Sequence, residues 1–393
     1  MEPVRRESAA FVVLVAGIAP IAAAQPVSVA YVNTVGLPTT AVDGAGQSFT
    51  VTGLSGLVYA GGTRWLAVMD NSNKVIELNV VLGAGGSVVS AGITGVYTIA
   101  QTLDFEDIAM VEGAPGEVWL AEETTPAVRR YDLASGALLE IVAAPAPLAS
   151  IRSNFGFESL AAPSRPGVMW TCNEEALTVD GPLSTPAAGT LVRLAKFVRS
   201  GASYAPAAQY AYRTNPIHAP VTSGSRSGVS ALVQLPSGAL LSMERSLGFN
   251  IFAPFQTRIY EVDLSGALDV SSNTSFSATP PAAVVGKRQL YSGSHANVEG
   301  LALGPELSGG GFALVGIVDD GDPISVNQLV AWRITGAVSP NCSADWNLDG
   351  GVDGDDVIAF FGDWDLSHAD FDASGGTDGD DVIAFFARWD SGC

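Results

Sequence analysis

Two stretches near the C-terminus spell the same nine residues, DGDDVIAFF at 353–361 and DGDDVIAFF at 378–386. Extended backwards they become DWNLDGGVDGDD (345–356) and DFDASGGTDGDD (370–381), two 12-residue loops with oxygen-bearing side chains at positions 1, 3, 5, 9 and 12. Gly stands at position 6 of each, where such a loop must turn sharply. These are the needs of Ca2+, a hard cation that takes six to eight oxygens from a flexible loop, one of them the backbone carbonyl at position 7. The first loop offers Asp345, Asn347, Asp349, the Gly351 carbonyl, Asp353 and Asp356. The second offers Asp370, Asp372, Ser374, the Gly376 carbonyl, Asp378 and Asp381.

A second set of carboxylates recurs upstream. Glu106, Glu158 and Glu299 occupy one position in FEDIA (105–109), FESLA (157–161) and VEGLA (298–302). Asp70, Glu122 with Glu123, Glu174 with Glu175, Glu244 and Asp319 with Asp320 close a following apolar segment in each repeat. Acids gathered at one point repel one another unless a cation or a positive group compensates. With Arg152, Arg226, Arg245, Lys287 and Arg288 nearby in sequence, the set suits an anionic substrate such as a phosphate ester. The competing reading is structural: the repeated Glu residues satisfy backbone amides between neighbouring sheets.

The elements that must position these groups differ in the two regions. Each C-terminal loop runs into an apolar helical stripe, Val357, Ile358, Phe361 and Trp364, then Val382, Ile383, Phe386 and Trp389. Upstream, the segments at 53–72, 104–123, 156–175, 227–246 and 297–320 each read as strand, Gly/Pro turn and strand. A third strand often follows, as in VRRYDL (128–133), RIYEVDL (258–264) and LVAWRI (329–334). That pattern predicts an all-β propeller. Five blades are visible, and VSVAYVNTV (27–35) supplies the outer strand of a sixth, so about six blades are expected. A β-sandwich array is the competing architecture. In a propeller Glu106, Glu158 and Glu299 come from different blades and point toward one end of the central channel. Ile108, Leu160 and Leu301 then pack between blades.

Composition sets the frame. The chain has 393 residues, 47% of them hydrophobic, with 44 Gly and 22 Pro, which favours short strands and turns. Its formal charge is −21; residues 342–393 hold 13 Asp against one Arg, so about −12 of it sits there. Such asymmetry marks a separate module and argues against nucleic acid or an anionic membrane as partner. Arg5 and Arg6 precede the apolar run Ala9–Ala24, the layout of a secretory signal peptide cleaved after Ala24. No other stretch approaches a transmembrane length. An exported chain can form disulfides; Cys342 and Cys393 bracket the acidic segment and are expected to be bridged, with Cys172 reduced and buried.

The paired Asp-terminated loops, each with one helix, resemble a dockerin domain, and Cys342 with the final Gly392–Cys393 resembles its GC-type variant. That resemblance implies an α-helical module with two EF-hand-like Ca2+ loops. It also implies attachment to a cohesin-like or other cell-surface or extracellular protein. Loop positions 10 and 11 depart from the cellulosomal pattern, holding Gly354 and Asp355, then Gly379 and Asp380, so a cohesin of that type does not follow. IRSNFGFESLAAPSRPGVMWTCNEEALTVDG, SGVSALVQLPSGALLSMERS, TRIYEVDL and NVEGLALGP resemble the phytase-like family described as having esterase-like activity of phytase. This implies a secreted β-propeller that hydrolyses phosphate or other esters.

The expected organisation is a signal peptide (1–24), a propeller (27–335), a linker (336–341) and a dockerin (342–393). The expected active site draws on Glu106, Glu158 and Glu299 with Arg152, Glu174 and Arg245, at a Ca2+-binding channel mouth. The alternative is a non-catalytic propeller that binds a ligand or protein and is anchored by the dockerin. Other chemistries find little support: there is no G-x-S-x-G elbow, no His/Cys cluster with zinc spacing and no phosphate-cradling Gly-rich loop. A Ser-His-Asp triad would depend on His218 or His295, neither beside a suggestive Ser motif.

Overall fold

The structure, a computed structural model, describes residues 26–391 apart from 149, 163–166, 201–202, 250–253, 323, 337, 339–342, 348–351, 373 and 375. The signal peptide, the Cys342–Cys393 pair, Asp349 and Gly351 lie outside the described residues.

The chain opens with β1 (Ser28–Gly36) and a short hairpin, β2 (Thr40–Val42) with β3 (Ser48–Thr50). Four consecutive meanders follow. The first is β4 (Leu54–Tyr59), β5 (Arg64–Met69), β6 (Ser72–Leu82) and β7 (Val88–Leu103). The second is β8 (Phe105–Val111), β9 (Ala114–Glu122), β10 (Ala127–Asp132) and β11 (Leu138–Ala143). The third is β12 (Phe157–Ala161), β13 (Val168–Asn173), β14 (Leu191–Ser200) and β15 (Ser203–Arg213). The fourth is β16 (Arg226–Gln234), β17 (Leu240–Leu247), β18 (Phe255–Asp263) and β19 (Gly286–Gly293). The last sheet joins both ends of the chain: β20 (Val298–Glu306), β21 (Phe312–Val318) and β22 (Gln328–Thr335) take β1 as their outer strand.

These are five four-stranded blades, so the propeller has five rather than about six. The strand at 27–35 does not begin a sixth blade. It pairs antiparallel with β22 from Ser28↔Thr335 to Gly36↔Gln328 and completes the fifth, while residues 40–50 form only the small hairpin. Closure of the last blade by the first strand covers an edge that would otherwise present unpaired backbone groups.

The five inner strands contact one another in a closed cycle, β4 to β8, β12, β16, β20 and back to β4. Their apolar residues fill the seams: Ile108, Leu160 and Leu301 are all buried in interblade clusters. The approach of adjacent strands is tight. A Cβ on Gly56 of β4 would lie 2.5 Å from the Asp107 Cα of β8. Asp107 pegs the next seam, between β8 and β12, its Oδ1 accepting from the Ile108 N–H at 2.8 Å and its Oδ2 from the Leu160 N–H of β12 at 2.7 Å. The interblade amide role that sequence offered to the repeated Glu residues therefore falls here to the neighbouring Asp.

The C-terminal module holds α1 (Gly354–Trp364) and α2 (Gly379–Ser391) around Trp346, Phe360, Phe371 and Phe385, with the Phe360 and Phe385 rings stacked at 4.1 Å. The buried stripe is one residue off the sequence expectation. Phe360 and Phe385 are inside, whereas Ile358 and Ile383 are 72% and 69% exposed. The fully buried Asp356 and Asp381 turn toward their loops and bring the residues four further on inward. The module touches the propeller where Arg199 meets His368 Nδ1 at 2.6 Å, Glu112 at 3.3 Å and Asp363 at 3.7 Å. Glu112 follows the far end of β8, so this contact lies on the face opposite the one where β8 begins. No helix among the described residues is long and apolar enough to cross a membrane.

Candidate active site at the channel mouth

Each inner strand carries a β-bulge at the same step. The pairing skips Ser55 in β4, Glu106 in β8, Glu158 in β12, Ser230 in β16 and Glu299 in β20. A bulge leaves one residue unpaired and re-aims its side chain. Two residues earlier stand Gly53, Asp104, Gly156, Gly228 and Asn297. The carbonyls of Gly53, Asp104, Gly156 and Asn297 accept from the backbone N–H of Asp70, Glu123, Glu174 and Asp319 at 2.7–3.1 Å, and Gly228 pairs with Arg245. The mouth is thus built of equivalent positions, with Asp70, Glu123, Glu174, Arg245 and Asp319 forming a second tier beside the bulge residues. The fourth blade alone places a cation in that tier.

Glu106, Glu158 and Glu299 accordingly come from three blades and meet at one end of the channel. Arg245 ties half of the ring together. Its Nη1 donates to Asn297 Oδ1 at 2.8 Å and to Glu299 Oε1, and its Nη2 donates to Glu174 Oε1 at 2.6 Å. Asp319 accepts from Asn297 Nδ2 at 3.1 Å, and Asp320 from Thr52 Oγ1 at 2.6 Å and the Gly53 N–H at 3.0 Å.

The other half holds Asp70, Asp104, Glu106, Glu123 and Glu158, and among the described residues no ion pair reaches them. Burial and like charges act together on this group. The Asp70 carboxyl is pushed up to about 6 by burial, then by Asp319, Asp104 and Asp320. Glu123 is pushed up to about 7 by burial and by Asp104, although it accepts from the Gly156 N–H at 3.2 Å. Burial also drives Glu106 and Glu158 well above the usual carboxylate range, reinforced by Glu123 on the first and Glu174 on the second. Asp70, Asp104 and Glu106 each bring an oxygen within 4.8 Å of the other two, a hard-oxygen donor set of the kind Ca2+ takes.

Four residues weighed in the sequence lie elsewhere. Arg152 does not join the ring: its Nε and Nη2 donate to the Ala176 and Gly181 carbonyls, both at 2.9 Å, bracing the chain beyond β13. Glu244 is one step off the mouth register, fully buried, accepting from Tyr212 OH and the Asn215 N–H at 2.7 Å and paired with Lys287. His218 Nδ1 lies 2.8 Å from Ser246 Oγ, but that residue is fully buried, and His295 Nε2 meets Tyr291 OH at 2.7 Å. Sequence reasoning passed over Asp104 and Asn297. Their signal was present as the D-x-E of DFE (104–106) and the N-x-E of NVE (297–299).

In the C-terminal module the two loops are stitched alike. Asp356 accepts from the Asn347 and Asp353 N–H groups at 3.0 and 2.8 Å. Asp381 accepts from those of Phe371, Asp372 and Asp378 at 2.6, 3.1 and 2.8 Å. Asp370, Asp372 and Asp381 bring oxygens within 4.8 Å of one another. Asp353 caps α1 through the Asp355 N–H, and Asp378 accepts from Asp380 N–H in the same way at 2.9 Å. Asp345 is buried, while Ser374 and Gly376 are exposed.

Residues 50–321 match the model of the phytase-like family, described as esterase-like activity of phytase. The chain belongs to this phytase-like family. The match begins at the hairpin that precedes the first blade and ends at Gly321, one residue past Asp320 of the mouth. No curated protein matches significantly. Among solved structures the chain is similar to a luciferin-regenerating enzyme at 13% identity, over 74% of this chain and 95% of that one, with a TM-score of 0.34. It is also similar to U3-55K at 9% identity, over 73% and 85%, with a TM-score of 0.36. A PQQ-bound aldose sugar dehydrogenase from Streptomyces coelicolor matches at 12% identity, over 79% and 100%, with a TM-score of 0.33.

Proposed function

We propose that this phytase-like propeller hydrolyses phosphate or other esters at the mouth of its channel. The observation that carries the reading is the half-ring of five acids, Asp70, Asp104, Glu106, Glu123 and Glu158, brought together from three blades without an ion-pairing cation among the described residues. Buried like charges of this density are unfavourable unless they bind protons or a cation, and an active site is where such an arrangement is useful. Asp70, Asp104 and Glu106 would hold Ca2+, which supplies counter-charge to the anionic ester and polarises its oxygens. Burial and neighbouring acids push both Glu158 and Glu123 above the usual carboxylate range, which suits one of them to act as a carboxylic acid and the other as a carboxylate. The carboxylate takes a proton from the attacking water, and the acid gives one to the departing alkoxide, leaving an alcohol and the free acid product. Arg245, held by Glu174 and Glu299, orients the far side of the ester group.

The C-terminal module is read as a dockerin-like unit that binds two Ca2+ ions through its loops and tethers an exported enzyme to a cohesin-like or other extracellular protein. The stitching of Asp356 and Asp381 to their own loops supports that reading. The test is a screen of p-nitrophenyl phosphate and p-nitrophenyl acetate with the full chain and its Glu158→Gln variant. Turnover of either ester that falls at least a hundredfold in the variant, with an unchanged melting temperature, supports the proposal. A wild-type chain that turns over neither ester points instead to a binding propeller.

A further inference from the structure

A second polar centre lies beside the mouth, in the crevice between the chain that follows β13 and the one that precedes β16. There Glu175 lines a cavity of about 250 Å3 with Arg226, Leu183, Ile217, Val221 and Thr222. The Glu175 side chain is fully buried, yet neither of its carboxylate oxygens has a hydrogen-bond partner among the described residues. Arg226 Nη1 stands 3.5 Å from its Oε2, and that guanidinium is 44% exposed and stacked over the Phe155 ring at 4.3 Å. Other buried acids of this fold are treated differently. Glu122 accepts from the Thr125 N–H and Arg129 at 2.7 and 2.9 Å, and Glu244 accepts from three groups. A buried carboxylate with one long ion pair and no hydrogen bond is costly, and its persistence calls for an explanation.

The surroundings restrict what would satisfy it. An anion is disfavoured because Glu174 adjoins Glu175 and already repels it. A cation is disfavoured because the Arg226 guanidinium is 3.5 Å away. A neutral group carrying adjacent hydroxyls meets both demands: it donates to the carboxylate and accepts from the arginine. Part of the wall, Leu183, Ile217 and Val221, is apolar and suits the C–H face of a ring, while serines and threonines such as Thr185, Thr222 and Ser225 complete it. We infer that this pocket binds a neutral polyol, such as a cyclitol or a pyranose, with Glu175 accepting from two of its hydroxyls and Arg226 donating to a third oxygen.

The inference stands apart from the hydrolysis reading, since its test reads binding and not turnover. Titrate the full chain with myo-inositol and glucose as probes, and with cyclohexylamine and inorganic phosphate as charged comparators, by calorimetry. Saturable binding of at least one polyol is expected, weakened at least tenfold both by Glu175→Gln and by Val221→Trp, which narrows the pocket from its exposed rim. Each variant should keep a melting temperature at or above that of the wild type less a few degrees. Absence of saturable polyol binding, equal binding by both variants, or a charged comparator bound more tightly than either polyol in a Glu175-dependent manner overturns it.

Discussion

At the scale of the residue, two neighbours in FEDIA do opposite work. Glu106 sits among repelling acids, whereas Asp107 accepts hydrogen bonds from two inner strands. Asp107→Ala strands those amides and should cost about 3 kcal/mol, read as a lower denaturation midpoint. Glu106→Gln in chelator-treated protein should leave that midpoint unchanged or raise it. Equal losses from both changes would mean that Glu106 is also a structural peg. Glu175 gives a pH-dependent counterpart. Its carboxyl is pushed up to about 7 from an ordinary 4.5, by burial first and Glu174 second. Since the folded value is the higher one, the fold gains from the proton at low pH and loses that gain as pH rises toward 7. Glu175→Gln should therefore become more stable than the wild type across that window, by up to about 3 kcal/mol, with a flat difference above it. A gap that stays constant from pH 4.5 to 8 contradicts this.

At the scale of the element, the repeating strand–turn–strand segments were legible because each blade repeats an alternation of apolar runs and Gly/Pro turns. The equivalence of Glu106, Glu158 and Glu299 was legible for the same reason. The bulges were not, since a one-residue slip in pairing leaves no mark in composition, and only the register of β16 with β17 sets Glu244 opposite Val229 and Arg245 opposite Gly228, in the tier of the mouth. Arg152 illustrates a further limit: its sequence neighbourhood says nothing of the Ala176 and Gly181 carbonyls it holds. In the C-terminal helices the i, i+1, i+4 stripe identified an amphipathic helix but chose Phe361 where Phe360 is the buried ring. That module clusters Asp side chains around a core of a few aromatics, too small to offset their repulsion alone. Chelating Ca2+ from the full chain should lower the circular-dichroism signal of α1 and α2, and adding Ca2+ should restore it. Unchanged helicity under both conditions would remove the loops from the list of calcium sites.

At the scale of the whole molecule, the ring is closed by a strand from the other end of the chain. Blade count was not legible because VSVAYVNTV reads equally as the start of a new blade or the edge of the last, and only its pairing with β22 decides. Deleting residues 26–36 should leave the β22 edge bare and lower the thermal midpoint by several degrees, with increased aggregation. A truncated chain as stable as the intact one would show that β1 closes nothing. The closed ring also makes the mouth, because equivalent positions converge only when the blades surround one axis. The most direct measurement of the hydrolytic reading is the rate of p-nitrophenyl phosphate and p-nitrophenyl acetate hydrolysis as Ca2+ is titrated into chelator-treated full-length protein and its Asp104→Asn variant, with helicity followed in parallel. The rate should rise to saturation with Ca2+, with a midpoint displaced at least tenfold in the variant, while the helical transition keeps its midpoint. A rate indifferent to Ca2+, or the same curve from both proteins, would contradict it.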